Sequence, residues 1–139
     1  MVTGTSGDLH SGMYGGAVVN PAMALSRILA TMHDGDGRVA IEGFYDSVRA
    51  FPDAVLASMR SLPFDEETFR RELGVSALGG ERGRSTLEKL WTRPTCEVNG
   101  LLSGYTGEGA KTVLPAKAMA KVSCRLVPDQ DPTGIERLM

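Results

Sequence analysis

From Ala118 to Leu126 the chain alternates, with Ala120, Val122, Cys124 and Leu126 on one face and Lys121, Ser123 and Arg125 on the other. A period of two with one apolar face predicts a half-buried β-strand. A weaker alternation from Thr95 to Tyr105 sets Cys96 and Val98 opposite Glu97 and Asn99, and predicts a second strand paired with the first. A glycine-rich loop with Gly107, Gly109 and Thr112 lies between them.

Upstream the period lengthens. Leu25, Ile28, Leu29 and Met32 recur at helical spacing and predict an apolar stripe on a helix over Asn20–Met32. Asn20 suits the N-cap and Pro21 the first helical position. Asp34-Gly35-Asp36-Gly37 stops that helix and leaves His33 in its last turn. Arg38 to Gly43 reads as a short strand with Val39 and Ile41 on one face, and Gly43 to Asp46 as a packed turn. A helical excursion follows from about Pro52 to Leu73. Asp65 is the expected N-cap of its second helix, Phe64 and Phe69 form a hydrophobic staple, and Gly74 is the stop. After a polar loop over Gly79–Arg84, a short helix over Ser85–Trp91 is barred from continuing by Pro94. Asp131-Pro132 opens a last helix, Thr133 to Met139.

These elements predict an α+β fold: most of a ferredoxin-like β-α-β-β-α-β unit, an antiparallel sheet with helices on one face. The expectation is one domain over residues 1–139, incomplete at both ends, with Val2–Gly12 the tail of a strand and a helical insertion over about residues 44–92. With 42% apolar residues the chain can bury a core. A net charge of −2 shows no basic stripe for a nucleic acid. No apolar run is long enough for a bilayer, and the polar, glycine-rich start does not read as a signal peptide, so a cytoplasmic setting is expected. Cys96 and Cys124, the only cysteines, sit in strand-like runs far from His10 and His33; they lack zinc-site spacing and read as reduced core thiols.

The strand pattern puts Arg125 on the open side of a sheet, above the glycine-rich loop. A guanidinium held there can take a carboxylate in bidentate fashion, while on spacing alone a solvated surface arginine is the plainer reading. His10 in a polar loop reads equally plainly as solvated. Asp8 is either a partner that fixes the His10 tautomer or a local turn former.

Three runs in order carry more. They are Asp8-Leu-His-Ser-Gly12 with Gly15-Gly16 and Asn20-Pro21; Gly43-Phe-Tyr-Asp46; and Trp91-Thr-Arg-Pro-Thr95 continuing to Arg125-Leu-Val-Pro-Asp-Gln-Asp131. From about Thr5 to Pro132 the pattern resembles the lid, or dimerisation, domain of the two-metal peptidases that include carnosinases, dipeptidases and succinyl-diaminopimelate desuccinylases. The resemblance implies a longer enzyme whose separate catalytic domain holds two zinc (or manganese) ions and a glutamate base. It implies that His10 stabilises the tetrahedral oxyanion, in dimeric members across the subunit boundary. Thr112 becomes a substrate-side contact, and Arg125 binds the substrate's terminal carboxylate. It implies hydrolysis of a peptide or amide next to a free carboxylate. The homodimer is expected through the Asn20–Met32 helix and an edge strand, most simply Thr95–Tyr105. None of the catalytic domain's metal motifs is in this chain. With only His10 and His33 as histidines, the chain is expected to be inactive alone and to hold no metal. The competing expectation is a free-standing α+β module that oligomerises or binds a small ligand without catalysis.

Overall fold

The computed structural model describes all residues from Met1 to Met139 and divides into two compact units. The first comprises Met1–Met32 and Cys96–Ser123, the second His33–Thr95 and Cys124–Met139. In chain order the elements are β1 (Val2–Thr3), β2 (Leu9–His10), α1 (Ser11–Tyr14), α2 (Pro21–Ala30), α3 (Asp53–Arg60), α4 (Glu66–Glu72), α5 (Thr86–Thr92), β3 (Thr95–Ser103), β4 (Val113–Leu114), β5 (Lys117–Arg125) and α6 (Pro132–Leu138). The class is α+β, as the periodicities predict.

In the first unit β5 is the central strand of a sheet ordered β1-β5-β3. β1 runs antiparallel to it, with Val2 opposite Ala118. β3 does the same: Ser103 Oγ donates to the Lys117 carbonyl at 2.9 Å while Gly100 faces the Lys121 side chain, so numbers rise along one strand as they fall along the other. Alternation along β5 is as expected. Ala118 is buried, Ala120, Val122 and Cys124 are half-buried, and Lys117, Met119, Lys121, Ser123 and Arg125 are exposed. Helix α2 packs on β1, burying Pro21 and Leu25. A Cβ at Gly4 would meet Pro21 Cγ at 2.7 Å, so only glycine lets the strand end approach the helix start this closely.

The Asn20 side chain accepts from the Ala22 N–H at 2.9 Å and caps α2 as expected. The helix ends at Ala30 rather than Met32, because Thr31 and Met32 N–H turn back to the carbonyls of Ile28 and Leu29. Leu25 and Met32 are buried, but Ile28 stays 55% exposed, so the covered stripe is narrower than the spacing suggested. A second, two-stranded antiparallel sheet joins β2 to β4, with Leu9 opposite Leu114 and His10 opposite Val113. Beside the three-stranded antiparallel sheet the chain thus carries this separate ladder, which the expected ferredoxin-like order does not include.

The second unit buries Val39, Phe44, Leu87 and Ile135, with α3 against α5. The strand expected over Arg38–Gly43 is absent apart from one bridge, His33 to Val39. Side chains take the donors a strand would offer its neighbour: the Asp34 carboxylate accepts from Asp36 and Arg38 N–H, and Tyr45 Oη from Val39 N–H. His33 consequently lies beyond the helix, not in its last turn. Gly43–Asp46 is a turn around fully buried Phe44, as predicted. Asp65 caps α4, and the Phe64 and Phe69 rings lie 5.2 Å apart as the staple requires. A capping box of Ser85 and Glu88 starts α5, and Asp131 caps α6.

Candidate functional site

The Leu9 and Leu114 side chains form the apolar side of the β2–β4 ladder, Leu114 being 2% exposed. Alternation then turns the next residue, His10, outward. The ladder continues one step beyond β4, where Ser11 N–H donates to the Thr112 carbonyl at 3.1 Å. This register sets Thr112 beside His10, and the Thr112 Oγ1 lies 3.1 Å from the His10 Nε2. The other ring nitrogen is also occupied: His10 caps α1, its Nδ1 accepting from the Gly12 N–H at 3.1 Å. Both side chains are exposed. Two residues 102 positions apart are therefore fixed as a pair by backbone pairing.

Asp8 does not touch this ring. Its Oδ1 accepts from the Ala116 N–H at 2.8 Å and so pins the chain beyond β4, which corrects the reading of Asp8 as a tautomer-fixing partner. In the loop before β4, Tyr105 Oη donates to the Glu108 carbonyl at 3.0 Å, and Lys111 Nζ stands 5.5 Å from the Tyr105 ring centre. A Cβ at Gly107 would fall 2.5 Å from Tyr105 Oη, so glycine is what lets the ring fold over the loop.

Arg125 closes β5 and belongs to the second unit, whereas His10 and Thr112 belong to the first. Its guanidinium is exposed, without a hydrogen bond or ion pair. The segment after it is held firmly. The buried Gln130 accepts from Val127 N–H at 3.0 Å and donates to the Phe44 carbonyl at 2.8 Å. Asp129 has a φ of +79°, unusual for a residue with a Cβ, and is gripped in bidentate fashion by Arg49 at 2.8 and 3.0 Å. Sequence reasoning missed Gln130, since a glutamine in a polar run carries no sign of burial.

A further cluster ties the remaining runs together in the second unit. The guanidiniums of Arg38 and Arg93 each stand 4.7 Å from the Tyr45 ring centre. Arg93 also forms a two-bond pair with Glu81. Tyr45 of the Gly-Phe-Tyr-Asp run and Arg93 of the Trp-Thr-Arg-Pro run are therefore one packed structure. No group of three or more His, Cys, Asp or Glu side chains could hold a metal ion. The residues present do not fit a two-metal centre.

Comparison with known proteins places these features in context. Residues 1–139 match the peptidase dimerisation domain. The chain is 32% identical over 139 residues to the Cys-Gly metallodipeptidase DUG1 of Candida albicans, covering 100% of this chain and 29% of that protein. It is 28% identical over 130 residues to the Beta-Ala-His dipeptidase of Homo sapiens, covering 94% of this chain and 26% of that protein. Among solved structures, the M20 family metallo-carboxypeptidase Sso-CP2 from Sulfolobus solfataricus superposes with a TM-score of 0.84 at 39% identity, covering 99% of this chain and 31% of that one. The dipeptidase Dug1p from Saccharomyces cerevisiae gives 0.83 at 31% identity, covering 98% and 28%. The chain thus spans less than a third of the length of each of these relatives.

Proposed function

This chain belongs to the peptidase dimerisation domain family, and we propose that it is the dimerisation and substrate-binding lid of a metal-dependent, dipeptidase-like hydrolase. The observation that carries this reading is the exposed pair of His10 and Thr112, locked together across the β2–β4 ladder at 3.1 Å. In this reading His10 donates a hydrogen bond from Nε2 to the oxyanion that forms when the scissile carbonyl is attacked. Such a donor stabilises charge that exists only in the transition state. Thr112 Oγ1 is the neighbouring contact on the substrate side. Arg125, exposed at the end of a rigid strand, takes the substrate's terminal carboxylate. The metal chemistry, by two zinc or manganese ions, belongs to a catalytic domain beyond this chain.

The homodimer is part of the proposal. α2 leaves Met23 57% and Ile28 55% exposed, and β3 is a sheet edge carrying exposed Val98, Leu101 and Leu102. An edge strand with free N–H and C=O groups beside apolar area suits pairing with a second copy. The relatives' names support peptide hydrolysis as the parent activity, since both curated relatives are dipeptidases.

Kinetics of the longer enzyme test the site assignments. Arg125→Ala should raise KM for substrates with a free terminal carboxylate and leave amidated analogues nearly unchanged, because it removes a ground-state contact. His10→Ala should instead lower kcat by about 10²–10³ with KM little altered. Equal losses from Arg125→Ala on both substrate types would make Arg125 structural, and a His10→Ala enzyme with normal kcat would remove the oxyanion role.

A further inference from the structure

We infer that Gly12 is a positioning residue that sets the tautomer of His10, keeping the ring proton on Nε2, where Thr112 Oγ1 accepts it until an oxyanion takes its place; the functional use of this rests on the oxyanion reading, but its observable does not. A neutral imidazole has one N–H and one bare nitrogen. A backbone N–H can only donate, and the Gly12 N–H points at His10 Nδ1 at 3.1 Å. Nδ1 is therefore the bare nitrogen, and the proton is on Nε2. Thr112 Oγ1, at 3.1 Å from Nε2, then accepts, although a hydroxyl could serve either tautomer. Thr112 follows the ring; Gly12 decides it.

Glycine is required here for space rather than for backbone angle. Residue 12 lies within α1, and its φ is not in the left-handed region. A Cβ there would fall 2.9 Å from His10 Cε1, nearer than Cβ atoms come to a neighbour, and 3.1 Å from Nδ1, a tight contact, so the ring would have to shift. The ring sits over the Cα of residue 12 because nothing projects from it. Alanine should leave the backbone intact, since it favours helices over glycine, and displace the ring instead. The Nδ1 bond is then lost, and with it the tautomer preference. The Gly of the Asp-Leu-His-Ser-Gly run so has a chemical consequence two residues away.

The chain offers a clean measurement because His10 and His33 are its only histidines. With ¹⁵N in the imidazole rings, long-range proton–nitrogen correlations in alkaline buffer report which nitrogen carries hydrogen. His33, whose exposed ring has no hydrogen-bond partner, serves as the internal reference. In the wild-type chain His10 should show a single species with Nδ1 bare and Nε2 protonated. Gly12→Ala should abolish this preference, giving the averaged pattern of His33, with circular dichroism unchanged. Thr112→Val should retain the Nε2–H form. A wild-type His10 protonated on Nδ1 or averaged like His33 overturns the inference, as does a Gly12→Ala ring that keeps its tautomer. Loss of the preference in Thr112→Val instead transfers the role to Thr112 and also overturns it. No substrate is involved, so these outcomes are separate from the activity tests of His10 itself.

Discussion

Glu88 is fully buried and yet ionised, and its surroundings explain why. Burial alone pushes its carboxyl pKa up, but the Ser85 N–H at 2.7 Å and the Arg60 guanidinium at 2.8 Å pull it down further, leaving it below the ordinary 4.5. A carboxylate with a lowered folded-state pKa binds fewer protons folded than unfolded. Its stabilising contribution is therefore complete above the unfolded value and lost as pH falls through the folded one. Glu66, held by Thr86 N–H and Oγ1, shifts in the same direction. Glu88→Gln should destabilise the chain by about 1–2 kcal/mol near neutral pH, the scale of a lost charge-assisted cap. The difference should shrink as urea midpoints are taken to progressively lower pH, through the range in which the folded-state carboxyl takes up its proton. An unchanged difference across that range would mean that shape, not charge, is what Glu88 contributes. At this scale the sequence is legible where a residue repeats a motif and opaque where a polar side chain is buried. The runs make His10, Thr112 and Arg125 candidates, and the structure sets the first two side by side. Nothing in the sequence marks Glu88 and Gln130 as buried, because that burial depends on partners 28 and 86 positions away.

The elements divide along the same line, between local signals and distant ones. Asn20-Pro21, Asp65 with Phe64 and Phe69, and Asp131-Pro132 each contain their own reason for starting a helix, and each helix is there. The β2–β4 ladder contains no such signal, since two residues per strand cannot display a period. Yet it is the element that brings His10 to Thr112. Over Arg38–Gly43 the pattern misled for the opposite reason: Val39 and Ile41 alternate, but Asp34 and Tyr45 side chains capture the backbone donors. Caps are testable one at a time. Asn20→Ala should cost about 1 kcal/mol through loss of the Ala22 N–H bond, and Asn20→Ser should restore most of it. Thermal melts of the three proteins check this. An alanine variant as stable as wild type would show that packing of Pro21 and Leu25 alone fixes where α2 begins.

If His10 serves an active site as proposed, the question for the whole molecule is which subunit's site it serves. If the lid reaches into its partner's active site, each site of a homodimer is built from both chains, and defects in different chains can complement. Take two variants of the longer enzyme, His10→Ala and one lacking a metal ligand of the catalytic domain. Each homodimer has two defective sites. In a mixed dimer, the subunit with intact metals faces the intact His10 of the other, while the second site carries both lesions. Equal mixing under conditions of subunit exchange makes half the dimers mixed, with one working site in each. About a quarter of wild-type activity should therefore return. If His10 serves its own subunit, every site in the mixed dimer keeps one lesion and nothing returns. Exchange can be verified independently by pairing differently tagged subunits, so that silence in the assay is informative. Recovery near a quarter, dependent on exchange, fixes the crossing; its absence after proven exchange assigns His10 to its own chain and leaves the dimer with a purely structural role.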